Sequence, residues 1–306
     1  MLNQGWIYRE QVNPSDAGLT ILAYYTQRYP HSSQGQWQER IISGQILLNG
    51  QPTTPDTPLQ PGQCLSYHRP PWQEPDVPLA FEVLYEDVDV LVVAKPSGLP
   101  VLPGGGFLEH TLLGQLKRLY PQETPTPIHR LGRGTSGLML LARSPLAASH
   151  LSHQMRQGQM TKVYHALVGA GDLPHQFSIH QPIGKIPHPV LGYVYGATPD
   201  GLFAHSHCRV LQRSTQGTLV EVRIFTGRPH QIRIHLASVG YPLLGDPLYE
   251  VGGIPRTEPE IEVNKLPVPG DCGYLLHSHL LGFTHPRTHE PLQFVKNRQF
   301  LVDCCI

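Results

Sequence analysis

The sequence predicts an α+β protein of two domains in which strands outnumber helices. Three observations lead there. The 306 residues exceed the ~100–200 expected of one domain. Thirty-one prolines and 30 glycines accompany a 40% hydrophobic fraction, which suits many turns around a substantial core better than a helical bundle, a collagen or a disordered chain. The apolar residues also fall into two strand patterns. Val90–Ala94 and Leu138–Ala142 are unbroken runs, as in strands buried on both faces, and Val220, Val222 and Ile224 alternate with Glu221 and Arg223, as in a half-buried strand.

Residues 1–70 read as a small first domain. GLTILAYYTQRY is a predicted helix, Ser33 caps a second one carrying Trp37, Ile41 and Ile42, and GQILLNGQ is a strand ending in an Asn49-Gly50 hairpin turn. A proline-rich linker at 71–79 follows, within a stretch, HRPPWQEPDVP, that holds four prolines. The second domain, 80–306, opens with EVLYEDVDVLVVAK, two strands around an acidic turn. Ser144-Pro145 starts a helix that Gly158 closes. MTKVYHALV alternates, with Lys162, Tyr164 and Ala166 on one strand face. TGRPHQIRIHLASVG becomes a helix stopped by Gly240, its apolar stripe formed by Ile232, Leu236 and Val239, with His230, Arg233 and Ala237 on another face.

Lys plus Arg and Asp plus Glu number 23 each, so any nucleic-acid site must be a local patch rather than a global field. The five cysteines show no CxxC spacing, and no apolar stretch is long enough to span a bilayer or to open a secretory signal. We therefore expect no membrane association and a reducing cytoplasmic or equivalent organellar location. Eighteen histidines include the pairs His205/His207, His277/His279 and His285/His289. Without H-E-x-x-H or a thiol pair, these read as histidine-rich strand edges, and no metal site is assigned. The T-S-G sequence lacks the G-x-S-x-G setting of a serine nucleophile.

What remains is a set of arginines in turns, Arg130, Arg133, Arg228 and Arg233, whose forked guanidinium groups suit phosphate or carboxylate. Around them KPSGLPV, HRLGRGTSGLMLLA, KVYHALV, GRPHQIRIHLASVGYPLLGDPLY and LLHSHLLGFTHPRTHEPLQF follow one another in an order that resembles the RluA family of RNA pseudouridine synthases. HRLGRGTSGLMLLA is similar to the family signature, KPSGLPV to its upstream strand-turn, and KVYHALV to its tyrosine motif. GRPHQIRIHLASVGYPLLGDPLY is similar to its arginine motif, and LLHSHLLGFTHPRTHEPLQF to its closing segment. The first domain resembles the small α-L RNA-binding module through I-x-x-G-x-(apolar)-x-x-N-G.

The resemblance implies a mixed, largely antiparallel sheet with a cleft for a uridine flipped out of its RNA. It also implies a cofactor-free isomerisation in which the C1′–N1 bond breaks and uracil rejoins through C5. The implied partner is structured RNA, ribosomal or transfer, bound by a monomer. Tyr164 falls on the base-stacking tyrosine, Arg233 on the arginine that pairs with the catalytic aspartate, and Arg130 on the basic residue that opens the RNA. His129, Arg133, Thr135, Arg228 and His230 complete the implied RNA-binding set.

The aspartate position itself is Gly132, where H-R-L-D stands as H-R-L-G. Loss of a nucleophile costs about a million-fold in one hydrolase, roughly 8 kcal/mol of barrier. The substitution leaves open a synthase with altered chemistry or an inactive RNA-binding homologue. It also leaves Arg233 in need of a partner, since an uncompensated buried charge costs about 3–5 kcal/mol. Water, an RNA phosphate or a substitute carboxylate, Asp246, can supply one. If the site is otherwise preserved, Gly132→Asp is expected to restore an ion pair with Arg233, raise activity and hold or increase stability.

Overall fold

A computed structural model of the protein describes residues 2–188, 191–256 and 267–298; Cys304 and Cys305 lie outside them. The chain divides into two compact units, Met1–Glu74 with His188–Tyr193, and Pro75–Pro187 with Val194–Ile306.

The first unit holds a four-stranded antiparallel sheet, ordered β1 (Trp6–Gln11), β4 (Cys64–Arg69), β2 (Ile46–Leu48) and β3 (Gln51–Pro52). Between β1 and β2 lie α1 (Ile21–Arg28) and α2 (Gln34–Ile42). Thr20 and Ser33 cap the two helices, Ser33 with Gln36 in a reciprocal box. Asn49 and Gly50 both take positive φ, 51° and 78°, the turn that a right-twisted hairpin needs. Tyr24, Tyr25, Trp37, Ile41, Ile46 and Leu65 form its core.

The second unit is built on a ten-stranded sheet. Its elements in chain order are β5 (Glu82–Glu86), β6 (Val90–Lys95), α3 (Leu112–Leu119), β7 (Thr126–Pro127), β8 (Ser136–Ala142), α4 (Pro145–Arg156), β9 (Thr161–Val168) and β10 (Gln176–Ile179). Then come β11 (Ile183–His188) and β12 (Gly192–Ala197), a separate two-stranded sheet of which His188, Gly192 and Tyr193 fall in the first unit, β13 (Ser206–Arg213), β14 (Thr218–Ile224) and α5 (Gln231–Ser238). The short pair β15 (Tyr249–Glu250) and β16 (Ile254–Pro255), then β17 (Leu276–Thr284) and β18 (Pro291–Val295), complete it. Strand order is β10-β13-β14-β9-β17-β8-β6-β5, with β18 on β17 and β7 on β8. Every pairing is antiparallel except β17 with β8, where His277 faces Ser136 and Ser278 faces Gly137.

The unbroken apolar runs are strands covered on both faces. Leu91, Val93, Met139 and Leu141 enter one core with Tyr164 and Val222, while Val90, Val92, Leu138 and Leu140 enter another with Ala147 and Leu151 of α4. Ser144 caps α4, and Gly158 follows it at φ 67°.

One expectation needs correction. Helix α5 has no single apolar stripe: Gln231 to Ala237 are all buried, and Val239 is 40% exposed. The helix lies between two clusters, giving Ile232 and Leu236 to the main core and Ile234 and Ala237 to a smaller one with Ala204 and Leu248.

Candidate active site

The loop HRLGRGTSG joins β7 to β8 and is held by the turn that follows β6. Lys95 ends β6 at 2% exposure, and its ammonium donates to the carbonyls of Pro96 and Leu99 (both 2.8 Å) and of Arg133 (3.2 Å). Ser97 Oγ donates to Gly134 O at 2.6 Å, and Arg133 Nε returns a bond to Gly98 O at 3.2 Å. The Arg133 guanidinium lies 4.9 Å over the Phe107 ring. On the far side Gly137, at φ 105°, lets β8 approach β17: a Cβ there would sit 2.2 Å from Ser278 O. His129 turns inward to the same strand, its Nε2 accepting the Leu140 N–H at 3.1 Å, and burial lowers its pKa to about 4. Its acceptor role requires the neutral ring.

The arginine expected to need a partner has one. Arg233, 2% exposed, meets Asp246 in a fork, Nε to Oδ2 at 2.8 Å and Nη2 to Oδ1 at 2.7 Å. Asp246 Oδ1 also accepts the main-chain N–H groups of Leu248 (2.9 Å) and Tyr249 (3.1 Å), which fixes its plane. The Tyr249 hydroxyl donates to Tyr195 O at 2.7 Å, so it accepts a hydrogen bond from the His230 Nδ1–H, also at 2.7 Å. Burial lowers the His230 pKa to about 3, with the nearby Arg233 cation adding to it. Among the described residues Arg233 Nη1 has no hydrogen-bond partner.

Tyr274, which the sequence did not single out, connects this ion pair to Gly132. Its ring lies 4.2 Å beneath the Arg233 guanidinium, and its hydroxyl pairs with Thr135 Oγ1 at 3.3 Å. Gly132 does not occupy the left-handed region, so its backbone does not demand glycine. Space does. A Cβ at 132 would stand 2.6 Å from Tyr274 Oη, and one at Gly134 would stand 2.9 Å from the same ring. The tyrosine's terminal hydroxyl stands where a residue-132 side chain would begin, so Gly132→Asp meets the backbone it needs but requires that hydroxyl to move.

Gly132, Thr135, Arg233, His230 and Asp246 are thus linked through Tyr274 and Tyr249. Tyr164 joins the same core cluster as Leu131, Ile232 and Tyr274. It is 7% exposed, and burial raises its phenol pKa to about 12 against a lowering hydrogen bond with Ser278. The other residues of the expected RNA-binding set point elsewhere. His129 and Arg133 brace the loop, and Arg228 donates from Nε to Phe203 O at 2.9 Å; Arg130 is exposed but near enough for its charge to act on His230. A cleft of about 310 Å³ is lined by Tyr241, Leu244, Asp246, Tyr249 and Arg256, while the Asp246 side chain itself stays buried. Among the described residues no group of histidine, cysteine and carboxylate side chains has metal-binding geometry.

Residues 89–238 match the family described as RNA pseudouridylate synthase. Over 274 residues, 89% of this chain and 92% of the relative, the sequence is 53% identical to an uncharacterised RNA pseudouridine synthase of Synechocystis sp.. It is 30% identical to ribosomal large subunit pseudouridine synthase D of Vibrio parahaemolyticus, covering 92% of this chain and 88% of that one. The human protein RNA pseudouridylate synthase domain containing 1 shares the fold, with a TM-score of 0.55 at 22% identity over 75% of this chain and 88% of that one. The chain belongs to the RluA-type RNA pseudouridine synthases, isomerases by family.

Proposed function

We propose that this protein isomerises uridine to pseudouridine in structured RNA, ribosomal RNA in the first instance, with a site rebuilt around Gly132. The observation that carries this reading is the Arg233–Asp246 fork with Nη1 left over. A buried ion pair adds little net stability over an apolar pair of the same volume, so a cation held this rigidly serves another purpose. An unpartnered N–H there is a preorganised donor for an oxygen brought in from outside, a uracil carbonyl or a ribose or phosphate oxygen. The name of the Vibrio relative supports ribosomal RNA as substrate. Tyr164 supplies an aromatic wall to the same core, and Tyr274, 2% exposed, must move aside for a base to reach it.

The isomerisation breaks C1′–N1, forms C1′–C5, releases the C5 hydrogen and returns a proton to N1. Tritium release from ribosomal RNA transcripts labelled with [5-³H]uridine reads that step directly. Wild type is expected to release tritium above a protein-free blank, and Arg233→Met to lose nearly all of it. A second reading, an RNA binder without chemistry, draws on Asp246 being fully engaged and on Tyr274 Oη occupying the aspartate's place. No tritium release from ribosomal or transfer RNA, with RNA still bound, would decide for that reading. We further propose that the first unit adds RNA affinity, as its resemblance to an α-L module suggests, and that the protein works as a monomer in the cytoplasm or its organellar equivalent.

A further inference from the structure

At one end of the ten-stranded sheet, three neighbouring strands place a ring in the same row. Ile179 of β10 faces Ser206 of β13, which faces Ile224 of β14. One step beyond that row stand His180, His205 and Phe225. Their rings form a pile: His180 to His205 at 4.4 Å and 27°, His205 to Phe225 at 4.4 Å and 17°. Phe203 flanks the pile, 6.2 Å and 22° from His180 and 6.4 Å and 49° from His205. Both phenylalanines are open to solvent, Phe203 58% and Phe225 44% exposed.

A folded chain has no reason of its own to leave a stack of three flat rings, with a fourth beside it, at the surface. Burying them would be favourable, and single exposed rings are ordinary where a parallel stack is not. Cations accompany both phenylalanines. Arg223 lies 5.3 Å from the Phe225 ring, and Arg228 is tied through Nε to the carbonyl of Phe203. The acid on the neighbouring row, Glu221, is already paired with Arg209 at 2.9 Å.

The pile is also fixed relative to the candidate active site. Gln231, in the first turn of α5 and two residues before Arg233, donates to His205 O at 3.0 Å. Thr226 Oγ1 accepts the His205 N–H at 2.9 Å. A strand lying on these rings would therefore be registered to the helix that carries Arg233.

We propose that this pile, with Arg223 and Arg228 beside it, is a docking platform for single-stranded RNA flanking the target uridine, bases extending the stack and phosphates meeting the two arginines. Flat rings presented with guanidinium groups, and without base-reading carboxamides, suit sequence-tolerant stacking. This rests on the RNA-directed reading above but does not depend on the isomerisation taking place.

The test measures binding of fluorescein-labelled dodecauridylate to the full-length protein by anisotropy, with a 5-iodouridine version for photocrosslinking. Phe225→Leu, and His180→Ala with His205→Ala, are each expected to weaken binding about fivefold or more. Phe225→Trp should retain it, which a merely apolar contact would not require. Crosslinks should fall on the 203–225 segment. The proposal is overturned if wild type does not bind the oligonucleotide, if Phe225→Leu binds as well as wild type, or if crosslinks map elsewhere. It is also overturned if sedimentation shows a dimer that Phe225→Leu dissociates while RNA affinity is unchanged. Tritium release measured in parallel separates the two readings. Binding through Phe225 without isomerisation leaves the platform standing and the synthase reading lost; isomerisation indifferent to Phe225 does the reverse.

Discussion

Gly132 and Tyr274 are best understood as one unit, because the hydroxyl of one occupies the space a side chain on the other would need. That coupling can be measured. Gly132→Ala should destabilise the protein by about 1–3 kcal/mol, the usual cost of overpacking. In a Tyr274→Phe background the same change should cost much less, because the nearest remaining atoms are Thr135 Oγ1 at 3.4 Å and the ring Cζ at 3.9 Å. A double-mutant cycle from chemical unfolding reads the difference, and additive values would show that the two residues do not compete. The same geometry revises what an aspartate can do here. Gly132→Asp alone should lower stability without raising tritium release, and any gain of activity should need Tyr274 shortened as well. The departure at 132 was legible in the sequence, since H-R-L-G stands inside an otherwise intact signature. Tyr274 was not, because it meets Thr135 across 139 residues and sits in no motif of its own. Asp246 lay in between: visible as a carboxylate near the arginine motif, but identified as the ion-pair partner only by the fold.

Strand β9 shows how far periodicity carries. Alternation placed Lys162, Tyr164 and Ala166 on one face, and the structure buries all three. It could not say that Tyr164 sits within the main core, where the ring packs as structure. Tyr164→Ala is therefore a poor probe of RNA binding, since removing a core aromatic ring costs about 3–5 kcal/mol. Tyr164→Phe keeps the ring and loses only the hydroxyl paired with Ser278. It should leave the thermal midpoint within a few degrees of wild type and RNA affinity unchanged, while tritium release reports whether the phenol takes part in chemistry. A large loss of stability in Tyr164→Phe would mean that the Ser278 bond anchors β9 to β17. Helix α5 marks the limit of the same reasoning. A stripe was expected, and a helix buried all round was found, because two clusters flank it and a single sequence does not reveal how many neighbours a helix has.

Across the whole molecule the histidines do a different job from the one their number first suggests. His129, His230, His235 and His277 are held neutral by burial, with pKa values lowered to about 4, 3, 4 and 4, and each makes a hydrogen bond to the fold. His277 and His279 share the carbonyl of Lys296. Their H-x-H spacing did not foretell this, because it says nothing about what lies opposite. The consequence is a pH dependence with a definite sign. Between the ordinary histidine pKa of about 6.5 and the folded values near 4, the unfolded chain binds protons that the folded chain refuses. Stability is therefore full above about pH 6.5 and declines as pH falls toward 4. Asp89 acts in a lower window: its hydrogen bonds to Arg287, against an opposing push from burial, bring its pKa to about 2, so its contribution is lost only as pH falls below the ordinary carboxyl value of 3.8. Thermal unfolding followed from pH 7.5 to 4.5 should show a midpoint that falls steadily through the histidine window. His129→Gln should make that fall shallower, since a carboxamide oxygen can accept the Leu140 N–H at any of these pH values, whereas a protonated imidazole cannot accept it at all. A midpoint that stays level from pH 7 to 4.5 would mean that these rings reach solvent and titrate as they do in the unfolded chain.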